Sequence, residues 1–207
     1  HVLTSARTGY RLGHGQVYDH MFLDGLEDAY EQGKLMGAFA ELCVDKYQFS
    51  REAMDAFAIE SVTRAQRAVA DGSFKAEIAP VTITTRRGEE VIAGDETPGK
   101  CDVSKISKLK PAFKKDGAVT PANSSSISDG AAAFVLMRES DAKKAGITPL
   151  ARIVGHATYA AEPSWFTTAP VFVFKNLLKK VGWEVGDVDL WEINEAFATV
   201  TMASMHD

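Results

Sequence analysis

The sequence predicts an α/β fold in which a parallel or mixed sheet lies covered between helices, and three stretches carry that reading. Residues 131–137, Ala-Ala-Ala-Phe-Val-Leu-Met, form an apolar run without charge or alternation, the pattern of a strand buried on both faces. Residues 50–71 place Met54, Phe57, Ala58, Ser61, Val62, Ala65, Ala68 and Val69 on one face at helical spacing, the clearest amphipathic helix in the chain. Residues 188–193 read as a strand that turns at once into a helix at Asn194. Such a junction sets polar side chains at the carboxyl edge of a sheet, where α/β folds hold their ligands.

Composition narrows the class. The chain has 207 residues, 45% hydrophobic and 25% charged, which suits a soluble globular protein of one large or two small domains. A formal charge of −5 with scattered Lys and Arg argues against a nucleic-acid partner, because phosphate binding needs a concentrated basic face. No apolar run approaches the roughly 18 residues needed to span a bilayer, and the start lacks a signal-peptide pattern, so no membrane partner and a cytoplasmic location are expected. Cys43 and Cys101 have no CxxC spacing and no nearby His cluster, so two free thiols and no metal site are expected. The chain begins at His1 without Met and ends just after a promising helix, and it reads as a piece of something longer.

Taken in order, residues 1–15 carry Arg7, Arg11 and His14 among Gly9, Gly13 and Gly15, an exposed basic loop able to meet a partner subunit. Met21, Phe22, Leu26, Ala29 and Tyr30 predict a helix over 17–33, interrupted at Gly25. Leu35, Phe39, Leu42, Cys43 and Tyr47 predict a second, with Cys43 on its apolar face rather than poised as a nucleophile. Ser50 is the expected N-cap of the third helix, with Glu52 in its first turn, and Gly72 its stop. Residues 77–85 alternate through Ile78, Val81 and Ile83, and Arg87-Gly88 turns them into 90–93, predicting a hairpin. Residues 95–110, with Pro98-Gly99 and four lysines, read as a solvated loop.

The Ser-rich turn at 124–128 precedes the apolar run, and by residue type alone it is a solvated turn. Ser140 is the expected cap of a short helix over 141–145, ended by Gly146, and 149–158 reads as another buried strand. An aromatic loop around Pro163, Trp165 and Phe166 leads to a helix opened by Pro170, faced by Phe174, Leu177, Leu178 and Val181, and closed at Gly182. At the last junction, the Asn194 carboxamide offers two donors and an acceptor, so it can fix a water that polarises a thioester or carbonyl oxygen. The plainer reading makes Asn194 the cap of the following helix. Glu195 reads more readily as a first-turn helix residue than as a general base, and His156 as a core or edge histidine. No Ser-His-Asp, metal or P-loop pattern is present.

Two stretches together point further. Residues 119–133 resemble the thiolase signature in which V-T-x-x-N-x-S is followed by N-D-G-A-A-A, and Trp191-Glu192-Ile193-Asn194-Glu195-Ala196-Phe197 resembles that family's N-E-A-F motif, at fitting spacing. The resemblance extends through Asp24-Gly25-Leu26, Met36-Gly37 with Ala40-Glu41, and Ser50-Arg51-Glu52 with Asp55-Ala56-Phe57-Ala58. It continues through Lys108-Leu109-Lys110-Pro111-Ala112-Phe113 and Pro149-Leu150-Ala151-Arg152-Ile153-Val154, so that it covers nearly the whole chain. The closest likeness is to the short-chain acetyl-CoA acetyltransferase branch.

The resemblance implies a five-layered αβαβα thiolase fold. Residues 1–127 would form the loop domain over the active site, 128–147 the end of the N-terminal domain and 148–207 the start of the C-terminal one. It implies reversible condensation of two acetyl-CoA to acetoacetyl-CoA through an acyl-cysteine, with acyl-CoA as substrate and no further cofactor, in a homodimer or homotetramer. By position, Asn194 matches the Asn that holds the oxyanion-hole water, while Ser125, Phe113, Met36 and Phe197 match residues lining the CoA and pantetheine channel. The family's nucleophilic Cys lies upstream of His1, and its G-H-P histidine and acid/base Cys downstream of Asp207, so the chain itself is expected to be inactive. Leu35 stands where many members have His, Ser128 replaces Asn, and Ser124 and Ser126 stand where Ala and Gly are common. Loop 95–105 is short and lacks the aromatic of potassium-dependent relatives, so no monovalent cation is expected. The alternative is a noncatalytic acyl-CoA or lipid-binding thiolase-like protein.

Overall fold

The computed structural model describes residues 1–3 and 5–207. Its core is built around two helices. Helix α1, Met36–Tyr47, buries Phe39, Ala40, Cys43 and Val44 at the i, i+3, i+4 spacing of one face. Helix α2, Arg51–Asp71, is capped as expected at both ends: Ser50 Oγ accepts the Ala53 N–H at 3.1 Å, and Gly72 takes the left-handed conformation at φ 73°. Its inner face supplies Met54 and Ala58. Ala40, Val44 and Met54 meet Ala118 and Val119 from the serine-turn segment and Phe197, Ala198 and Val200 from near the carboxyl end. Removing each of the larger of these side chains from water stabilises the fold by roughly 1.5–3 kcal/mol.

Two small antiparallel ribbons stand outside this core. Strands β1, Val2–Leu3, and β2, Val17–Tyr18, pair and close the glycine-rich loop between them. Strands β3, Val81–Thr85, and β4, Gly88–Ile92, form the expected hairpin in the register Val81↔Ile92 to Thr85↔Gly88, with Gly88 at φ 121° completing the turn. The hairpin is shifted from its expected bounds at both strands, and all of β3 faces solvent.

Residues 17–33 do not form the expected helix. After β2 a single wide turn, Phe22–Leu26, ends at Glu27, whose backbone is extended. The Asp28 carboxylate then accepts the N–H groups of Tyr30 at 2.9 Å and Glu31 at 2.7 Å. This local side-chain turn takes the donors a continuing helix would use. Glu27 and Leu35 bridge the two ends, and Gly33 turns the chain at φ 83°.

Residues 95–110 are not merely solvated. Helix α3, Thr97–Lys100, and a 3-10 segment, Val103–Lys108, dock on α2 and bury Pro98 and Ile106. The Gln66 amide donates to the Pro98 and Cys101 carbonyls, each at 2.9 Å, and Arg51 donates to the Leu109 carbonyl at 2.7 Å while pairing with Asp55 at 2.8 Å.

Helix α4, Glu139–Lys144, begins earlier than expected, with Arg138 rather than Ser140 at its N-cap. Helix α5, Ala169–Val181, has Pro170 in its first turn and Gly182 at φ 72° as its stop, both as expected. Residues 131–137, 149–158 and 188–193, the expected strands, have no ladder partner among the described residues. Phe134 is 85% exposed and Leu190 89%. A continuous apolar run encodes cover on two faces, whereas these segments have at most one. Tyr159 stacks on Phe172 of α5 at 4.7 Å, Trp191 meets Phe174 edge-on at 5.1 Å, and Lys180 donates to the His156 carbonyl at 2.8 Å. His156 is thereby an exposed residue on the flank of α5, not a core histidine.

Candidate active site

The serine turn and the Asn194 segment, far apart in sequence, are hydrogen-bonded to each other. Ser124 and Phe197 form an antiparallel bridge, in which the Ser125 N–H donates to the Ala196 carbonyl and the Ala198 N–H to the Asn123 carbonyl, both at 2.9 Å. The Ser125 hydroxyl adds a third bond, to the Glu195 carbonyl at 2.8 Å. These bonds hold the backbone on the carboxyl side of Asn194 to the turn.

The turn is itself fixed from within. Asn123, buried, accepts the Thr120 N–H through Oδ1 at 2.8 Å and donates through Nδ2 to the Ala118 carbonyl at 2.9 Å. Ser124 Oγ donates to the Thr120 carbonyl at 2.7 Å. The turn is therefore not the solvated one that its residue types suggest: Thr120 and Asn123 are buried, while Ser125 stays at the surface. Glu195 is held on the other side by Ser61 of α2, whose hydroxyl donates to its carboxylate at 2.7 Å.

Helix α6, Ala198–His206, starts only after this junction, with Phe197 at its N-cap and no side-chain cap. Its first N–H is taken by Asn123. The plainer reading of Asn194 as helix cap is thereby excluded, and Glu195 likewise precedes the helix. Asn194 is exposed, and its carboxamide has no hydrogen-bond partner among the described residues.

Of the other sequence-predicted residues, Phe113 packs edge-on against Phe197 with ring centroids 6.4 Å apart. Phe113 is 36% exposed and Phe197 only 8%, so one ring faces solvent and the other belongs to the core. Met36, half-buried, packs against the same core at the start of α1. Gly37 gives the Phe113 ring its place, since a Cβ there would overlap it. Beside Phe113, an open groove of about 470 Å³ is lined by Lys34, Leu35, Ala38 and Ala112 among others. Phe113 and Phe197 are thus in ring contact, Met36 packs on the core that holds Phe197, and Ser125 is bonded to Glu195 and Ala196 just ahead of Phe197.

Cys43 does not resemble an activated nucleophile. Cys43 is fully buried, and burial pushes its pKa above the ordinary value against the lowering effect of the Thr199 and Thr167 hydroxyls. A nucleophilic thiol needs the opposite shift. Tyr47, one turn on, is also raised, first by burial and then by its bond to the Asp207 carboxylate at 2.7 Å. A raised folded-state pKa contributes stability that is complete below the unfolded value, here 9.0 for the thiol, and is lost as pH rises through the folded one. In the full-length protein, wild type should therefore lose stability relative to Cys43→Ala as pH rises past the ordinary thiol value of 9.0, read from denaturant midpoints. Under native conditions a thiol reagent should modify half-buried Cys101 well before Cys43. Equal rates would contradict the burial account.

Sequence reasoning missed Glu41, Asn123 and Ser61 as residues that build the junction. Glu41 lies on α1 next to Ala40 and is 3% exposed, and both of its carboxylate oxygens accept backbone N–H groups of the turn segment. The signals for Glu41 and Asn123 were a charge within a buried helix face and their places in the Ala40-Glu41 and V-T-x-x-N-x-S matches.

The match to known proteins defines the class. Residues 1–140 match the family description "Thiolase, N-terminal domain" and residues 147–207 match "Thiolase, C-terminal domain". The chain belongs to the thiolase family.

Among its relatives, an acetyl-CoA acetyltransferase of Thiocystis violacea is 43% identical over 98% of this chain and 52% of its own length. Acetyl-CoA acetyltransferase 1 of Arabidopsis thaliana is 45% identical over 98% of this chain and 49% of its own. The crystal structure of the Bacillus anthracis acetyl-CoA acetyltransferase superposes with a TM-score of 0.93 at 41% identity, covering 99% of this chain and 52% of that one. The structure of the enzyme from Syntrophomonas wolfei gives 0.89 at 37%, covering 99% and 51%. The fold is the expected α/β thiolase fold, and the chain spans about half the length of the relatives it matches. Among the described residues no helix is long and apolar enough to cross a membrane.

Proposed function

We propose that the full-length protein is an acetyl-CoA C-acetyltransferase, and that this chain supplies its oxyanion-stabilising Asn194 and part of its CoA channel. The observation that carries the reading is the bridge between Ser124 and Phe197, which brings the two motif segments into one junction and leaves the Asn194 carboxamide free at its edge. The names of the relatives support the same substrate class.

In this reading a cysteine thiolate from outside the chain takes an acetyl group from one CoA thioester. CoA leaves and is protonated; a base outside this chain takes an α-proton from a second acetyl-CoA, and the resulting carbanion attacks the acetyl-cysteine carbonyl and expels the cysteine thiolate, giving acetoacetyl-CoA. Asn194 orients a water against the thioester oxygen, where negative charge builds up in the transition state. Ser125 keeps acceptor capacity on its hydroxyl after donating to Glu195, enough to receive an amide N–H of the pantetheine arm. Phe113, with Met36 and Phe197 behind it, offers that arm an apolar wall. The partition into loop domain and two partial catalytic domains, the absence of a further cofactor and a cytoplasmic location are parts of the same proposal. Two free thiols support the location, because a reducing compartment preserves them.

The deciding assay is CoA-dependent cleavage of acetoacetyl-CoA by the full-length protein, with acetyl-CoA as product. No turnover would overturn the proposal. Phe113→Ala is expected to raise KM for the CoA substrate about 3–10-fold while kcat stays within about twofold, because a wall binds carrier equally in ground and transition states. Steady-state kinetics showing a pure kcat loss would remove Phe113 from the channel.

A further inference from the structure

We infer that Glu41 is a positioning residue for the Asn194 segment, acting through the turn at 118–125. The inference rests on the thiolase reading for its effect on turnover, but on geometry alone for the contact itself.

Glu41 is a buried carboxylate in the middle of α1, and it makes no ion pair among the described residues. Taking a carboxylate out of water is costly, and hydrogen bonds to it offset that cost. Two such bonds come from the turn segment: Oε1 accepts the Val119 N–H at 2.8 Å and Oε2 the Ala118 N–H at 3.2 Å. Gly117 completes the seat, since a Cβ there would overlap Glu41 Oε1.

From those amides the hold passes through short, directional bonds. The Ala118 carbonyl accepts from Asn123 Nδ2, the Asn123 carbonyl accepts the Ala198 N–H, and the Ser125 N–H reaches the Ala196 carbonyl. The carboxylate on α1 thus fixes the turn, and the turn fixes the backbone that follows Asn194. An apolar residue at position 41 would fill the same space without orienting two amides. A misplacement of about 1 Å at a catalytic group can cost about 100-fold in rate, so such a hold bears on turnover even though Glu41 touches no substrate.

The test uses the full-length protein and three variants. Glu41→Gln keeps the volume but turns one acceptor into a donor facing an N–H. Gly117→Ala keeps the carboxylate and pushes it off its seat. Gly72→Ala, at the far end of α2 in the left-handed conformation, lowers stability without touching the junction. The first two are expected to lower kcat about 10- to 100-fold with KM within about twofold, and to be less than additive in combination. Amide exchange at Ser125 and Ala198 should accelerate in both. Gly72→Ala should lose Tm yet keep kcat and the protection of those two amides.

Unchanged kcat in Glu41→Gln, retained protection at Ser125 and Ala198, or an equal kcat loss in Gly72→Ala would overturn the inference. If Glu41→Gln does not fold, Gly117→Ala is read in its place. Failure of both to fold, with Gly72→Ala folded, would overturn it by making Glu41 a stability residue only. A full-length wild type without acetoacetyl-CoA turnover would sink the thiolase reading instead, and the exchange measurements would still decide whether Glu41 holds the segment.

Discussion

Asn194→Ala in the full-length protein is expected to lower kcat by about 100- to 1000-fold, or somewhat less where the donor acts through a water, with little change in Tm. The two halves of that expectation have separate grounds. Under the proposed role, the rate loss follows from removing a donor at a position where oxyanion charge develops. The unchanged stability follows from the geometry: Asn194 lies ahead of α6, Phe197 occupies the N-cap, and the exposed carboxamide has no partner among the described residues. A cap, by contrast, would cost about 1 kcal/mol on truncation. An Asn194→Ala enzyme with wild-type turnover would remove the residue from the chemistry, and a large Tm loss with intact kcat would return it to a structural role.

The 207-residue chain expressed alone is expected to be inactive and to associate rather than stay monomeric. Inactivity is expected because neither Cys43, which is buried with its pKa raised, nor Cys101 stands in a catalytic motif of the family, and acyl transfer needs a nucleophile so placed. Association follows from surface. Phe134, Val135, Leu136, Leu150 and Leu190 are each at least 76% exposed. At about 25 cal/mol per Å², a few hundred Å² of wet apolar area forfeits several kcal/mol, comparable with the net stability of a domain. Size-exclusion chromatography with calorimetry reads the outcome. A monodisperse monomer that melts cooperatively would contradict the expectation, as would any turnover of acetoacetyl-CoA with added CoA.

What was legible in the sequence was local. The periodic face and both caps of α2, the Pro170 start and Gly182 stop of α5, and the buried position of Cys43 depend on residues within a few turns of one another. Residues 17–33 misled because Asp28 offered the backbone a competing turn that apolar spacing does not register. Residues 95–110 misled because their anchors, Gln66 and Arg51, act on carbonyls more than 30 positions away. The apolar run at 131–137 encodes a demand for cover, but a ladder also needs a second strand, and no single segment specifies that. For the candidate site, motif likeness named Asn194 and Ser125, whereas the bond from Ser125 to Glu195 and the seat of Glu41 under Val119 are facts of tertiary packing.

The bond between Ser125 and Glu195 also sets a timetable. Its partners are 70 positions apart and lie in the stretches matched by the two different thiolase domains. During synthesis at about 5–20 residues per second, the serine turn leaves the ribosome roughly 4–14 s before the segment that completes it. Helices α1 and α2, which form in microseconds, are long finished by then. The turn must spend that interval with its outward N–H and carbonyl groups bonded to water, already seated on Glu41 but not yet shaped by its other side. The Asn194 edge is therefore among the last parts of this chain to acquire its geometry, and a nascent protein can carry helices α1 and α2 for seconds before the residues that complete their core, Phe197, Ala198 and Val200, arrive with it.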